Sequence, residues 1–369
     1  MKATGTITNR WIISSGKDIS WLFLPLVACW IILLSLPDQT IHKDLPVWIW
    51  VSFVMIIDVG HVWSTLFRTY FDKQEFRSHR KLFILAPIIC FMLFFAIAAV
   101  SQNLFWTVLA YVAVFHFIKQ QYGFLAIYKS RNQDWQIRKI FKDKWIIYLS
   151  MIYPVIYWHL AGRDFSWFIT GDFVLMQNWL APRNLDLFLG YTNWLYWMII
   201  LAWLVEEFII SARPGNRISW GKIFWLLLTA FNWYFGIIYF NSDLIFTVTN
   251  VVAHGVPYFV LILYYNHQKA NIKKVENRLT WVPAVVLLVT VFLLAFGEEY
   301  LWDLLLFRDN PDLFSVFFPY TESTLRLPIM QAFALAILTV PQATHYVLDG
   351  FIWKSNHRNP FMKLIFFKK

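Results

Sequence analysis

Residues 244–266 read LIFTVTNVVAHGVPYFVLILYYN, and no charged side chain interrupts them. Wound as a helix at about 1.5 Å per residue, a stretch of this length crosses the roughly 30 Å hydrocarbon core of a bilayer. It therefore predicts a transmembrane span, and His254 near its middle is an ionisable group at a depth where such groups are costly and mark function.

The rest of the chain repeats the pattern. The 369 residues are 59% hydrophobic and only 15% charged, which excludes a soluble globule with an ordinary solvated surface. Ten apolar stretches predict an all-α polytopic bundle, with spans near 19–36, 46–67, 82–100, 105–128, 145–160, 187–210, 222–240, 244–266, 281–297 and 326–352. No linker, repeat or low-complexity tract divides the chain, so residues 1–369 are expected to form one domain. The first span has no small-residue cleavage site after it and is expected to be retained.

The formal charge of +10 does not predict nucleic-acid binding, because the basic residues lie in short connections between apolar runs. With both termini inside, segments 1–18, 68–81, 129–144, 211–221, 267–280 and the tail from Trp353 hold nearly all of the Lys and Arg. This satisfies the positive-inside rule and offers contacts to anionic lipids at the cytoplasmic face. The outer segments hold only Lys43, Arg163, Arg183, Arg308 and Arg326. Two of them, 162–186 and 298–325, mix aromatic residues with acids, as interfacial segments or packed lids do. Cys29 and Cys90 both fall within spans, so no disulfide framework is implied. The compact connections and the lack of a transit peptide point to a bacterial plasma membrane.

Three more histidines share the setting of His254: His61 in IIDVGHVWSTLF, His116 in VAVFHFIKQQYG and His345 in QATHYVLDGF. They fall on the second, fourth, eighth and tenth spans, all running the same way. Each lies about 10 to 18 Å from the cytoplasmic end of its span, so the four share one slab. Polar residues accompany them at helical spacing: Asp58, Gln120, Asn250, Tyr258 and Asp349 each stand three or four positions from a histidine. A metal-bound imidazole commonly gives its other ring N–H to such a group, which makes Asp58, Asp349 and Asn250 candidate supports. Tyr258 and Gln120 are the candidates to face a substrate or oxygen. Gly60, Gly123, Gly255 and Gly350 lie close by, where small residues let helices approach. Lys119 is expected to snorkel or to meet Asp58, Glu206 or Glu207. His42, His79, His159, His267 and His357 are expected at surfaces or interfaces.

Neutral imidazole suits iron, zinc, copper and nickel. An all-histidine set without cysteine, in an apolar setting and with O₂ as co-substrate, fits non-haem Fe(II) best. Haem on two of the histidines, in an electron carrier, is one alternative. A proton-coupled transporter with His, Asp and Lys119 as its relay is another. Aromatic residues make up 20% of the chain, enough to line a pocket for a lipophilic substrate, although membrane interfaces and helix packing also consume them.

The four intramembrane histidines, with DVGH, FHFIKQQYG and HYVLDGFIWK, resemble the Brp/Blh family of bacterial β-carotene 15,15'-dioxygenases. The likeness covers about a quarter of the chain. It implies a membrane non-haem iron enzyme that cleaves a polyene with O₂, with His61, His116, His254 and His345 as iron ligands. The chain lacks the HxxxH and HxxHH clusters of di-iron desaturases.

Overall fold

The computed structural model describes residues 6–42, 45–176, 185–273, 282–316, 325, 327–356 and 359–367. Lys43, Arg183, Arg326 and His357 lie outside these, as do 177–184 and 317–324 of the two long connections. Among the described residues there is no strand. The long helices are α1 (Ser15–Ser35), α2 (Val47–Arg68), α3 (Arg80–Val100), α4 (Gln102–Arg131), α5 (Asp143–Ala161), α6 (Leu185–Ser211), α7 (Trp220–Tyr239), α8 (Asp243–Ile272), α9 (Pro283–Phe307) and α10 (Pro328–Ile352).

Seven of them are long and apolar enough to cross a membrane: α1, α2, α3, α6, α7, α8 and α9. The expected ten therefore includes three, α4, α5 and α10, that do not stand out by apolarity. Two of these, α4 and α10, carry His116 and His345. A helix packed inside a bundle can be polar on its inner face, since only its outer face meets lipid. The lipid-facing helices show the complementary pattern, with Ile31, Ile89, Trp194 and Leu293 all exposed.

Serines start several helices. Ser101 accepts the Leu104 N–H and Ser242 accepts the Ile245 N–H, each at 3.3 Å, relieving donors that a helix start leaves orphaned. Ser101 alone separates α3 from α4, so the two helices fold back on each other. Helix α8 is the core element: it touches α1, α2, α4 and α7, while α10 packs along α3, and α9 along α2. Its approach to α2 depends on Gly255. A Cβ there would stand 2.6 Å from Ile57 Cγ2 and 3.0 Å from Ile57 O, well inside contact distance. No side chain crowds Gly123 or Gly350, so those two are not close-approach points. Just before His61, residues Trp50–Val59 of α2 wind as a π-helix, an arrangement often found near functional sites.

Charged groups tie the helix ends that carry the basic connections. Arg68 of α2 meets Glu75 at 2.9 Å, and Lys269 of α8 meets Glu75 at 2.8 Å and Asp72 at 2.6 Å. Burial alone would raise the Glu75 carboxyl, but the Arg68 guanidinium and the Lys269 ammonium outweigh it and hold it below its ordinary range. Within the stretch 298–325, α9 runs on to Phe307 and a short helix, Pro311–Ser315, buries Phe314.

Candidate metal centre

His61, His116, His254 and His345 meet. They project from α2, α4, α8 and α10, and none is more than 4% exposed. Their rings follow one another around a closed circuit: His61 to His254 4.6 Å between centroids, His254 to His116 5.0 Å, His116 to His345 4.7 Å, and His345 to His61 5.0 Å. The Nε2 atoms of His61 and His254 are 3.1 Å apart, as are those of His116 and His345. One nitrogen from each of the four lies within 4.8 Å of the others.

These distances fit a shared cation. Metal–imidazole bonds of about 2.0–2.1 Å place adjacent nitrogens about 2.9 Å apart in a square and about 3.3 Å apart in a tetrahedron. Two Nε2–Nε2 hydrogen bonds would account for the two short contacts. They would not account for both pairs being drawn to one centre.

The surroundings fix the protonation of at least one ring. Tyr258 donates its hydroxyl proton to Asp349 Oδ1 at 2.7 Å, and Trp353 donates to the same oxygen at 3.2 Å. Tyr258 O therefore accepts from Thr65, 2.9 Å away, and Thr65 O accepts from His345 Nδ1 at 2.7 Å. A carboxylate at the end of the chain thus sets the direction of every bond, and His345 presents an unprotonated Nε2 to the centre. On the other side, His61 Nδ1 faces Asp58 Oδ1 at 3.6 Å. His254 lies flat on Phe117, 3.8 Å between centroids and 7° between planes, and His116 stacks on Tyr346 at 4.4 Å.

Several expected roles change in detail. Asp349 does not bond directly to His345, one turn away on its own helix, but stands 3.8 Å from its Nδ1 and acts through Tyr258 and Thr65. The Tyr258 hydroxyl is thus turned to Asp349 and Thr65. Gln120 turns away as well, donating to the His254 carbonyl at 2.7 Å. Asn250 donates to the Phe246 carbonyl at 3.0 Å and contributes to a cavity wall. Lys119 meets none of the expected acids; its ammonium lies 5.6 Å from the Tyr122 ring. His159 is buried, between the Tyr111 hydroxyl at 2.7 Å and the Val155 carbonyl at 2.6 Å. Thr65, which completes the chain to His345, carries no signal in a single sequence, because threonine is ordinary in helices.

Beside the centre lies a cavity of about 1020 Å³. Asp58, Phe117 and Tyr346 are in its wall, and each touches one of the imidazoles. At its far end are residues of the connections after α1, α5, α7 and α9, including His42, Asp164, Asn241 and Asp309.

A second buried group of acids, Asp134, Asp143 and Glu207, also has oxygens close enough to share an ion. Three lysines already fill it. Lys139 meets Glu207 at 2.6 Å and Asp134 at 2.8 Å, Lys222 meets Glu207 at 2.6 Å as well as Asp134, and Lys129 bonds to Asp143. Glu206, the neighbour of Glu207, accepts the Ile140 and Phe141 backbone N–H groups at 2.7 and 2.8 Å.

Comparison of the chain with protein-family models, with curated proteins and with solved structures gives no match.

Proposed function

We propose that the protein is a multi-pass membrane oxygenase in which His61, His116, His254 and His345 hold a non-haem ferrous iron. The proposal includes ten spans with both ends of the chain on the cytoplasmic side of a bacterial plasma membrane, and the relation to the Brp/Blh family stated above. The observation that carries it is the convergence of one imidazole nitrogen from each of four helices, at ligand spacing, on buried side chains. Imidazoles on all four sides leave no plane for a macrocycle, which favours a bare ion over haem. The absence of cysteine among them favours iron over structural zinc.

Bound there, ferrous iron would supply the electrons that activate O₂ toward a substrate. The chain's own residues do the rest. Asp349, Tyr258 and Thr65 hold His345 in the ligating tautomer, and Asp58 faces the outward nitrogen of His61. Phe117 and Tyr346 cover His254 and His116 with apolar ring surface and keep water from them. Gln120 ties α4 to the backbone of α8 at His254, which keeps two ligand-bearing helices in register.

The test is the metal content of purified protein by mass spectrometry, with a visible spectrum of the same sample, for the wild type, His116→Ala and His345→Ala. The expected result is about one iron per chain without a Soret band, lost in both variants. A Soret band would replace this reading with the haem carrier. Wild-type protein without metal, or metal indifferent to both substitutions, would leave the buried His and Asp residues to a proton-coupled transporter.

A further inference from the structure

Lys119 is the only Lys, Arg, Asp or Glu between Gln102 and Tyr128 of α4, yet its side chain is exposed, on the face of the helix turned away from the bundle. The inward face of the same turns carries the buried His116. Residues three and four apart share a helix face, so Tyr111, Phe115, Lys119 and Tyr122 form one stripe along α4. Lys144, Tyr148, Ile152 and Ile156 form a second along α5. The two helices run antiparallel. Lys129 bonds to Asp143 at one end, the Tyr111 hydroxyl meets His159 toward the other, and between them the Tyr122 and Tyr148 rings stand 5.4 Å apart. The stripes therefore lie side by side.

Two cations close on the tyrosine pair. Lys119 precedes Tyr122 by about one turn of α4, and its ammonium stands 5.6 Å from that ring and 6.0 Å from Phe115. Lys144 precedes Tyr148 by about one turn of the opposed α5, and its ammonium stands 5.8 Å from that ring. Ring faces attract a cation but carry no net charge to balance it. Among the described residues neither ammonium has a carboxylate partner, and Asp143, next to Lys144, is turned inward to Lys129, Lys139 and Lys222. The hydroxyls of Tyr122 and Tyr148 likewise have no hydrogen-bond partner there.

The order of side chains along this face matches a lipid molecule. Lys144 and the exposed Trp145 stand beside the basic connection 129–144, the tyrosines and Lys119 come next, and beyond them Phe115, Ile152 and Ile156 offer exposed apolar surface. Two ammonium groups and two hydroxyls supply the donors that a phosphate accepts, and the apolar surface supplies a bed for a hydrocarbon chain. A lysine at this position keeps its stem on apolar surface while its head reaches along the helix to an anion.

We propose that the joint face of α4 and α5 binds an anionic phospholipid, with its phosphate between Lys119 and Lys144 and an acyl chain along Phe115, Ile152 and Ile156. The proposal rests on α4 and α5 spanning the bilayer, as in the ten-span reading above, and is independent of the metal.

Native mass spectrometry of the delipidated full chain in detergent tests the binding. The probe is dioctanoyl phosphatidylglycerol; dioctanoylglycerol lacks its phosphate, and glycerol 3-phosphate lacks its chains. The phospholipid is expected to bind at least about tenfold more tightly than either. Lys119→Met should remove most of that preference and Lys144→Met part of it, the second serving if the first fails to fold. Arg77→Gln, at an exposed position in another basic connection, should leave it unchanged. Equal binding of the phospholipid and dioctanoylglycerol overturns the proposal, as does a preference that both lysine variants keep or that Arg77→Gln lowers as far. Equally tight binding of glycerol 3-phosphate would make this a site for free phosphate. A dimer that dissociates in Lys119→Met with lipid binding unchanged would make it an interface between copies. Either result overturns the lipid site. A charged maleimide applied to Phe115→Cys in nanodiscs, relative to the parent chain, checks the span reading separately. Protection of that cysteine without a phospholipid preference counts against the site alone, whereas labelling counts against the span reading and the site with it.

Discussion

The histidine cluster and the ionic cluster at the basic end of α4 to α7 are both buried, yet they are built on opposite terms. In the first, four imidazoles each turn a nitrogen toward one centre, the arrangement proposed above to hold a cation. In the second, three ammonium groups stand against three carboxylates, and Trp203 donates a further bond to Asp143 at 2.9 Å. Both bring ligand-type atoms within reach of a shared ion. Proximity alone cannot separate them, but charge can: an ion entering the second cluster would have to displace lysines that already neutralise it. A buried ionic network of this kind fixes how helices join, whereas the imidazoles leave chemistry to be done.

The largest expected effect breaks the ionic cluster. Lys222→Met leaves Asp134, Asp143 and Glu207 short of one positive charge in the interior and should cost about 3–5 kcal/mol of stability. A large fall in Tm in detergent would show it, and adding Glu207→Gln should recover part of the loss. If Lys222→Met lowers Tm no more than His116→Ala does in metal-free protein, the contrast between the clusters is wrong.

A smaller effect sharpens the other side. Thr65→Val keeps the shape of the side chain but removes the hydroxyl that links His345 to Tyr258 and Asp349. Metal affinity should fall about 10- to 100-fold, as it does when such supporting groups are lost, with the fold intact. Competition with a chelator of known affinity measures this directly; unchanged affinity would mean that the tautomer is set in some other way.

The smallest effect appears only in acid. Burial would raise the Asp134 carboxyl, but Lys222, with Lys139 and Lys129, outweighs both that and the neighbouring Asp143, and holds it below the ordinary carboxylate range. A depressed value in the folded state means that the contribution is complete above the unfolded value of about 3.9 and is lost as the pH falls through the folded one. Tm should therefore change little through this group down to about pH 4 and decline below it. In Asp134→Asn that part of the decline should vanish.

How much of this could be read from the sequence differs between the two clusters for a physical reason. The histidine layer is legible because a helix has a fixed rise: counting residues from the end of each span gives depth, and four depths within one slab are a coincidence that demands explanation. The partners were only partly legible, because spacing on one helix cannot show which neighbour a side chain reaches. Asp349 was recognised, but the hydroxyl that joins it to His345 comes from α2. Most of the lysines and acids of the ionic cluster were read as charges outside the bilayer, which they resemble one at a time; only the packing of four helices brings Lys139, Lys222 and Glu207 together. The cavity was hidden in the same way. Its acids come from connections and from α2, α8 and α9, which lie far apart in the chain.

The order in which the ligands are synthesised adds a constraint of another kind. His61, His116 and His254 are translated well before His345, which arrives on α10, the last of the long helices. A nascent chain thus holds three quarters of the circuit and no fourth corner until α10 has been made. Closure of the circuit therefore waits on α10, and a chain stalled or clipped before it would hold three imidazoles and no fourth.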